Sequence, residues 1–355
     1  MSGQGLAEVQ RARALEQLTI DLGAAIMEAL LDPKVVEVML NPDGNVWVDR
    51  LGEGMRCIGL FSGRSARSVI ETTAGILNRV VNEDRPILEC RLPLDGSRFE
   101  AVLPPLAAEP TFAIRKKAPL VFTFDDYVSA GIMTPEQRQA LEAAVAARRN
   151  ILVCGSTGSG KTTLANAVLD CLARQDEHCR VVVIEDTPEL QVAVKNAVYL
   201  ETKSSPPRVD QTDLLKVTMR LRPDRIVVGE VRGPEVKDVL EAGVTEAGGM
   251  LLTVHLKEPS MLFGRFYWML LAAGLNMPWN VVENQVRAAL NVVVHITRWA
   301  DAEGHLIRRI TSIAEITEEG EIRSLWEWTG EDWEARYPLS ERLDRQIRRY
   351  TGALD

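Results

Sequence analysis

The chain has 355 residues, 46% of them hydrophobic and 26% charged, which is enough apolar mass for a packed core and excludes disorder as its main state. Its 50 acidic residues outnumber its 41 basic ones, a formal charge of -9, so a uniformly basic nucleic-acid binder is excluded while a local basic patch or ring lumen is not. Five cysteines without C-x-x-C spacing argue against a disulfide framework or a zinc knuckle, and the ten-residue greasy run Phe266 to Leu275 is half of what a bilayer span needs.

The first residues, MSGQGLAEVQ, are polar and carry no apolar signal core, which reads as a soluble protein of the cytoplasm that can still dock on a membrane machine. Residues 35–61 alternate β-rich runs (VVEVML, NVWV) with turn signals (Asn-Pro-Asp-Gly, Leu-Gly-Glu-Gly) and predict small antiparallel strands. A helix is expected over 63–82, with Val69, Ile70, Ala74, Ile76, Leu77 and Val80 on its apolar side. Strands are expected around Leu88–Leu92, Arg98–Leu103 and Thr111–Arg115, so residues 1–117 read as an N-terminal α+β domain. Residues 118–133 hold few helix signals and read as a linker, after which Thr134 caps a helix begun by Pro135 and carrying Leu141, Ala144 and Val145 on one side.

Beyond that point the pattern changes. The runs ILVCG (151–155), VVVIE (181–185), IVVGE (226–230) and MLLTV (250–254) are apolar throughout and alternate with helices. Such strands are buried on both faces, which predicts a parallel sheet covered by helices and a second domain over 134–355. From Asn291 the chain returns to strand-like stretches and ends in a charged helix.

Gly155-Ser156-Thr157-Gly158-Ser159-Gly160-Lys161-Thr162 matches G-x-x-x-x-G-K-[ST] in full, and Thr163 follows it. Glycines let successive amides turn inward on an anion, and the following helix adds its positive end. Lys161 then meets the β and γ oxygens of a triphosphate, and the Thr162 hydroxyl suits Mg²⁺. ATP and Mg²⁺ are the expected cofactors. Two further strands end in acids, Glu185, Asp186 and Glu189 on one and Glu230 on the other, and ligands of such sheets sit at the carboxyl ends of strands. Both strands are expected beside the one that feeds the loop. Glu185 and Glu230 are candidates to orient water or to hold Mg²⁺ through bridging water, although acids at these places also cap the next helix.

The run from Thr111 to Thr163, together with GSTGSGKTT (155–163), IEDTPEL (184–190), LRPDRIVVGEVRG (221–233) and GGMLLTVH (248–255), resembles the TrbB-type conjugative ATPases of the type II/type IV secretion superfamily. The resemblance implies a RecA-like ATPase domain with a smaller α+β N-terminal domain, closing as a homohexamer that powers type IV secretion, conjugative DNA transfer or mating pilus biogenesis. It implies docking on inner-membrane secretion or conjugation machinery and no direct nucleic-acid binding. By this resemblance Glu230 is the water-activating base of an altered Walker B strand, Gly229 stands where Walker B strands of other P-loop proteins carry Asp, Glu185 belongs to the acidic box and His255 senses the γ-phosphate. It also implies that Arg98 and Arg115 of the N-terminal domain reach the nucleotide. Leu256, Lys257, Glu258 and Pro259 depart from the small polar residues usual after the histidine. Alternatives are a type II secretion or type IV pilus assembly or retraction ATPase, and a DNA translocase.

Three further features stay open. His178 and His295 read as a solvated and a hydrogen-bonded core histidine. Arg220, Arg222 and Arg225 suit either a helix C-terminus or a neighbouring subunit's nucleotide. Cys154, just before the loop, packs as a small apolar residue or exposes a thiol to alkylation.

Overall fold

The computed structural model describes residues 3–117, 121–203, 206–244, 248–301 and 305–351. Residues 118–120 of the expected linker and residues 352–355 lie outside these. The chain divides into two compact units, Met1–Pro119 with Ala302–Leu306, and Leu120–Asp301 with Ile307–Asp355.

The first unit is two helices on one antiparallel sheet. Its elements are α1 (Gly3–Leu31), β1 (Val35–Leu40), β2 (Asn45–Arg50), β3 (Gly54–Leu60), α2 (Gly63–Ile76), β4 (Ile87–Arg91), β5 (Arg98–Val102) and β6 (Thr111–Arg115). The sheet order is β3-β2-β1-β6-β5-β4. Alternate residues such as Val46 and Val48, Phe99 and Ala101, and Phe112 and Ile114 point inward and meet Leu18, Leu22 and Ile26 of α1 and Val69 and Ile70 of α2. α1 was not foreseen; it breaks at Gly23, whose φ of +71° is left-handed. α2 is shorter than the expected 63–82. Asn78 turns left-handed at φ +53° and the Arg79 amide donates back to the Ala74 carbonyl, closing the helix at Ile76 and leaving Val80 exposed.

The second unit opens with α3 (Phe124–Ser129), inside the stretch expected to lack helix signals. Thr123 and Asp126 form a reciprocal capping box there, and Phe124 and Tyr127 drop into the core. α4 (Pro135–Ala146) carries the same device on Thr134 and Gln137 and buries Leu141, Ala144 and Val145. There follow β7 (Ile151–Gly155), α5 (Lys161–Gln175), β8 (Val181–Glu185), β9 (Ala197–Glu201), α6 (Gln211–Thr218), β10 (Arg225–Val231), α7 (Val236–Val244) and β11 (Leu251–His255). A 3₁₀ turn at Pro259–Met261 leads to α8 (Leu262–Ala272), α9 (Trp279–Ala289), β12 (Val292–Ala300), β13 (Leu306–Ile316), β14 (Ile322–Trp328), β15 (Trp333–Ala335) and α10 (Glu341–Thr351).

These strands form one sheet of order β15-β14-β13-β12-β7-β11-β10-β8-β9, parallel from β12 through β9. Every residue of β7 and β8 is buried, because both faces are covered. Ile151 and Val153 face α4 and α5, while Leu152 and Cys154 face α6 to α9. Part of the greasy run is core: Phe266, Met269 and Leu270 of α8 are buried, while Trp268 is exposed. Among the described residues no helix is long and apolar enough to cross a membrane.

Candidate active site

Strand register builds the site. β7 and β11 pair in parallel with Gly155 opposite His255, so the residue that opens the phosphate loop and the histidine that ends the neighbouring strand stand side by side. The neighbours of β7 are β11 and β12, which corrects the expectation that the strands of Glu185 and Glu230 flank it; β11 intervenes and brings His255 in first. Glu230 recovers the distance through a bulge. β10 and β11 pair at Val228↔Leu252 and again at Val231↔Val254, so β10 carries one extra residue at Gly229-Glu230.

The loop requires its glycines. A Cβ on Gly155 would run into the Ile296 carbonyl, and Gly160 starts α5 at φ +104°. No side chain caps α5, in contrast to the capping boxes of α3, α4 and α6, so the first-turn amides of Lys161, Thr162 and Thr163 face an anion site. Ser156, Thr157 and Gly158 form the exposed rim. Ser159 is fully buried, and its Oγ has no hydrogen-bond partner among the described residues.

Lys161 is buried; its Nζ donates to the Ser156 carbonyl at 3.0 Å and lies 3.2 Å from His255 Nδ1. An ammonium only donates, so Nδ1 accepts and the ring proton sits on Nε2. Nε2 stands 2.6 Å from Glu230 Oε1. The three side chains thus form a row from the phosphate loop to the carboxylate in the bulge. Burial first, then the charges of Lys161, Arg232 and Arg265, hold the His255 value below its usual 6.5. The ring is therefore neutral near pH 7.

Glu185 has a different position. It is buried, and its Oε1 accepts the Glu189 and Leu190 amides at 2.9 and 3.0 Å, which pins the loop after β8. A Cβ on Gly229 would lie 2.8 Å from the Glu185 Cγ, which explains physically why no aspartate stands there. Asp186 accepts Thr202 Oγ1 at 2.9 Å and Gln211 Nε2 at 3.2 Å and pairs with Arg232, whose Nε is 3.9 Å from Glu230 Oε2. After His255, Leu256 turns into the core, which accounts for the departure from small polar residues.

Some of the open features resolve. His295 is buried with Nδ1 2.7 Å from Thr311 Oγ1, and His178 is exposed. Arg225 is buried and donates to the Val145 carbonyl at 2.8 Å, so it serves this unit's interior. Cys154 is buried and its thiol is pushed up to about 12, which makes it an apolar filler rather than an alkylation target. In the first unit Arg98 and Arg115 are direct cross-strand partners, and Arg91 faces Arg98 from β4; sequence reading missed this third arginine because register was needed to find it. Arg98 pairs with Glu89 at 3.2 Å and Arg115 with Glu37 at 3.7 Å. Also missed were Arg298 and Arg308, which lie against Gly158 and Gly160.

A parallel sheet covered on both faces, with a phosphate loop leaving an interior strand and acids at neighbouring strand ends, defines a P-loop ATPase domain of RecA-like architecture. Residues 21–327 match the type II/IV secretion system protein family, and the chain belongs to it. A TrbB protein of Sinorhizobium fredii is 40% identical over 301 residues, 85% of this chain and 90% of its own length. The conjugal transfer protein TrbB of Rhizobium radiobacter is 38% identical over the same shares of both chains. The X-ray structure of the Legionella pneumophila ATPase DotB shares the fold, with a TM-score of 0.58 at 14% identity, covering 83% of this chain and 80% of that one.

Proposed function

We infer that this chain hydrolyses ATP with Mg²⁺ as a homohexameric ring motor for type IV secretion, conjugative DNA transfer or mating pilus biogenesis, docked from the cytoplasm on inner-membrane machinery. The observation that carries the reading is the Lys161–His255–Glu230 row at the mouth of the phosphate loop. A γ-phosphate arriving at Lys161 competes with His255 for the same ammonium, so the imidazole next to the base registers whether triphosphate is bound. Glu230 then accepts the proton of the attacking water.

The uncapped start of α5 and the oxygen donors Thr162, Glu185 and Glu230 fit a hard cation: Thr162 as a direct ligand, the two carboxylates through water. Bound Mg²⁺ would neutralise charge on the β and γ oxygens. Arg98 and Arg115 belong to the same reading as cations that the N-terminal unit brings to the phosphates, on the strength of the resemblance and of their cross-strand pairing.

Lys161→Ala is expected to lose ATP binding at least tenfold and all measurable turnover, read by calorimetry and phosphate release; wild-type affinity in this variant would refute the site. Arg115→Ala is expected to slow turnover about a hundredfold, the lower end of what losing one group that stabilises the developing charge costs. Light scattering with ATP and Mg²⁺ is expected to give six times the monomer mass of 39.4 kDa, and a monomer under those conditions would remove the ring from the account.

The His255 value sets a pH dependence. Its folded value is depressed, so the neutral ring contributes stability above its unfolded value near 6.5, and that contribution is lost as pH falls through the folded value. Turnover is expected to fall as pH drops below the ordinary histidine value, when Nδ1 gains a proton and can no longer accept from Lys161. A His255→Asn variant whose rate falls along the same acid limb would assign that limb to another group.

A further inference from the structure

β12 runs alongside β7 with His295 opposite Cys154, and its last residues continue past the end of β7 beside the phosphate loop. Side chains two residues apart on a strand share a face. Ile296 accordingly lies under Gly155 and Gly160, and Arg298 reaches Gly158 at the rim. A Cβ built on Gly158 would meet Arg298 Nη1 at 3.2 Å, Nη2 at 3.2 Å and Cζ at 3.3 Å. Near-equal distances to three atoms of a planar group mean that the guanidinium lies flat over the glycine. On the adjacent strand β13, Arg308 brings Cδ to 3.7 Å and Nε to 3.9 Å of a Cβ built on Gly160.

Flat packing on a glycine uses the face of a guanidinium and leaves its N–H edges in plane, where they donate. Arg298 is half-buried, and among the described residues no carboxylate pairs with it. A guanidinium at the rim of a phosphate loop, with no carboxylate of its own among the described residues, is placed to meet an anion brought from outside. The chemistry at hand is polyphosphate. The fully buried Ser159 Oγ of the same loop has no hydrogen-bond partner among the described residues.

We propose that Arg298 is a further nucleotide-binding residue, donating from its guanidinium edge to the polyphosphate of ATP or ADP, with Arg308 adding charge behind Gly160. The assignment rests on the phosphate loop being the nucleotide site. Gly158 itself is required by its left-handed φ of +72°, and its missing side chain lets the guanidinium approach.

The test measures dissociation constants of fluorescent ADP, with ATP as competitor, for the full chain and for Arg298→Gln, Arg298→Lys, Arg308→Gln and Lys161→Ala. Arg298→Gln is expected to bind both nucleotides about tenfold more weakly, raising KM with kcat within twofold and the unliganded thermal midpoint unchanged. Arg298→Lys, which keeps the charge and loses the planar fork, is expected between wild type and Gln. Wild-type affinity in both Arg298 variants overturns the proposal. So does a lowered unliganded midpoint with kcat collapsing in Gln and Lys alike, which would make Arg298 only a support for the loop. Lys161→Ala separates the two ideas: if it loses binding while Arg298→Gln keeps it, the loop stands and Arg298 does not; if Lys161→Ala keeps binding, the nucleotide site itself is wrong.

Discussion

Glu230→Gln is expected to bind ATP within a few-fold of wild type and to cleave it about 10²–10⁴ times more slowly, the range general-base catalysis contributes. Gln preserves the shape in the β10 bulge and keeps an oxygen beside His255 Nε2, which stands 2.6 Å from Glu230 Oε1. What it lacks is a basic oxygen for the water proton. Steady-state phosphate release and nucleotide binding on the same preparation separate the two effects. A Gln variant that turns over at the wild-type rate would move the base elsewhere. Glu185 is then the next carboxylate to examine, although its Oε1 already holds two backbone amides.

Asn150→Ala is expected to be the most destabilising single substitution in the second unit. The side chain is buried between three segments. Its Nδ2 donates to the Gly243 and Ala289 carbonyls at 2.8 and 2.6 Å, and its Oδ1 accepts the Gly249 and Met250 amides at 2.9 and 2.8 Å. Four buried backbone groups lose their partner at once, at about 1–3 kcal/mol for each left unsatisfied. With some relaxation and water entry the loss is about 3–5 kcal/mol, or roughly 10 °C in Tm for a unit of this size. Thermal unfolding checks it, and a midpoint within 2 °C of wild type would show that the amide network carries little. Because Met250 leads into β11 and Asn150 into β7, the register that sets Gly155 against His255 depends on this residue.

Much of the second unit was readable from residue pattern alone, because strands buried on both faces advertise themselves as unbroken apolar runs. The phosphate loop was equally plain, since only glycines satisfy the close approach at Gly155 and the left-handed start at Gly160. Strand order was not readable. Nothing in VVVIE or MLLTV says that β11 rather than β8 lies beside β7, and so the row from Lys161 through His255 to Glu230 emerges only from register and a one-residue bulge. Arg298 and Arg308 were hidden for the same reason: in sequence they are two of many arginines in a strand-rich tail, and only the extension of β12 past β7 sets them against the loop. In the first unit α1 is hard to see because apolar residues such as Ile20 and Leu31 also occupy its exposed side and Gly23 interrupts the helical pattern. The early end of α2 came from one left-handed asparagine that interrupts an otherwise helical pattern.

The most direct measurement is a crystal structure of the protein with Mg²⁺ and a slowly cleaved ATP analogue. The account predicts the β and γ phosphates in the amides of residues 155–163, Lys161 Nζ turned from His255 Nδ1 to the γ-phosphate, and a water between that phosphate and the Glu230 carboxylate. An analogue bound elsewhere, or a filled loop with Lys161 still on His255 and Glu230 turned away from the phosphate, would contradict it.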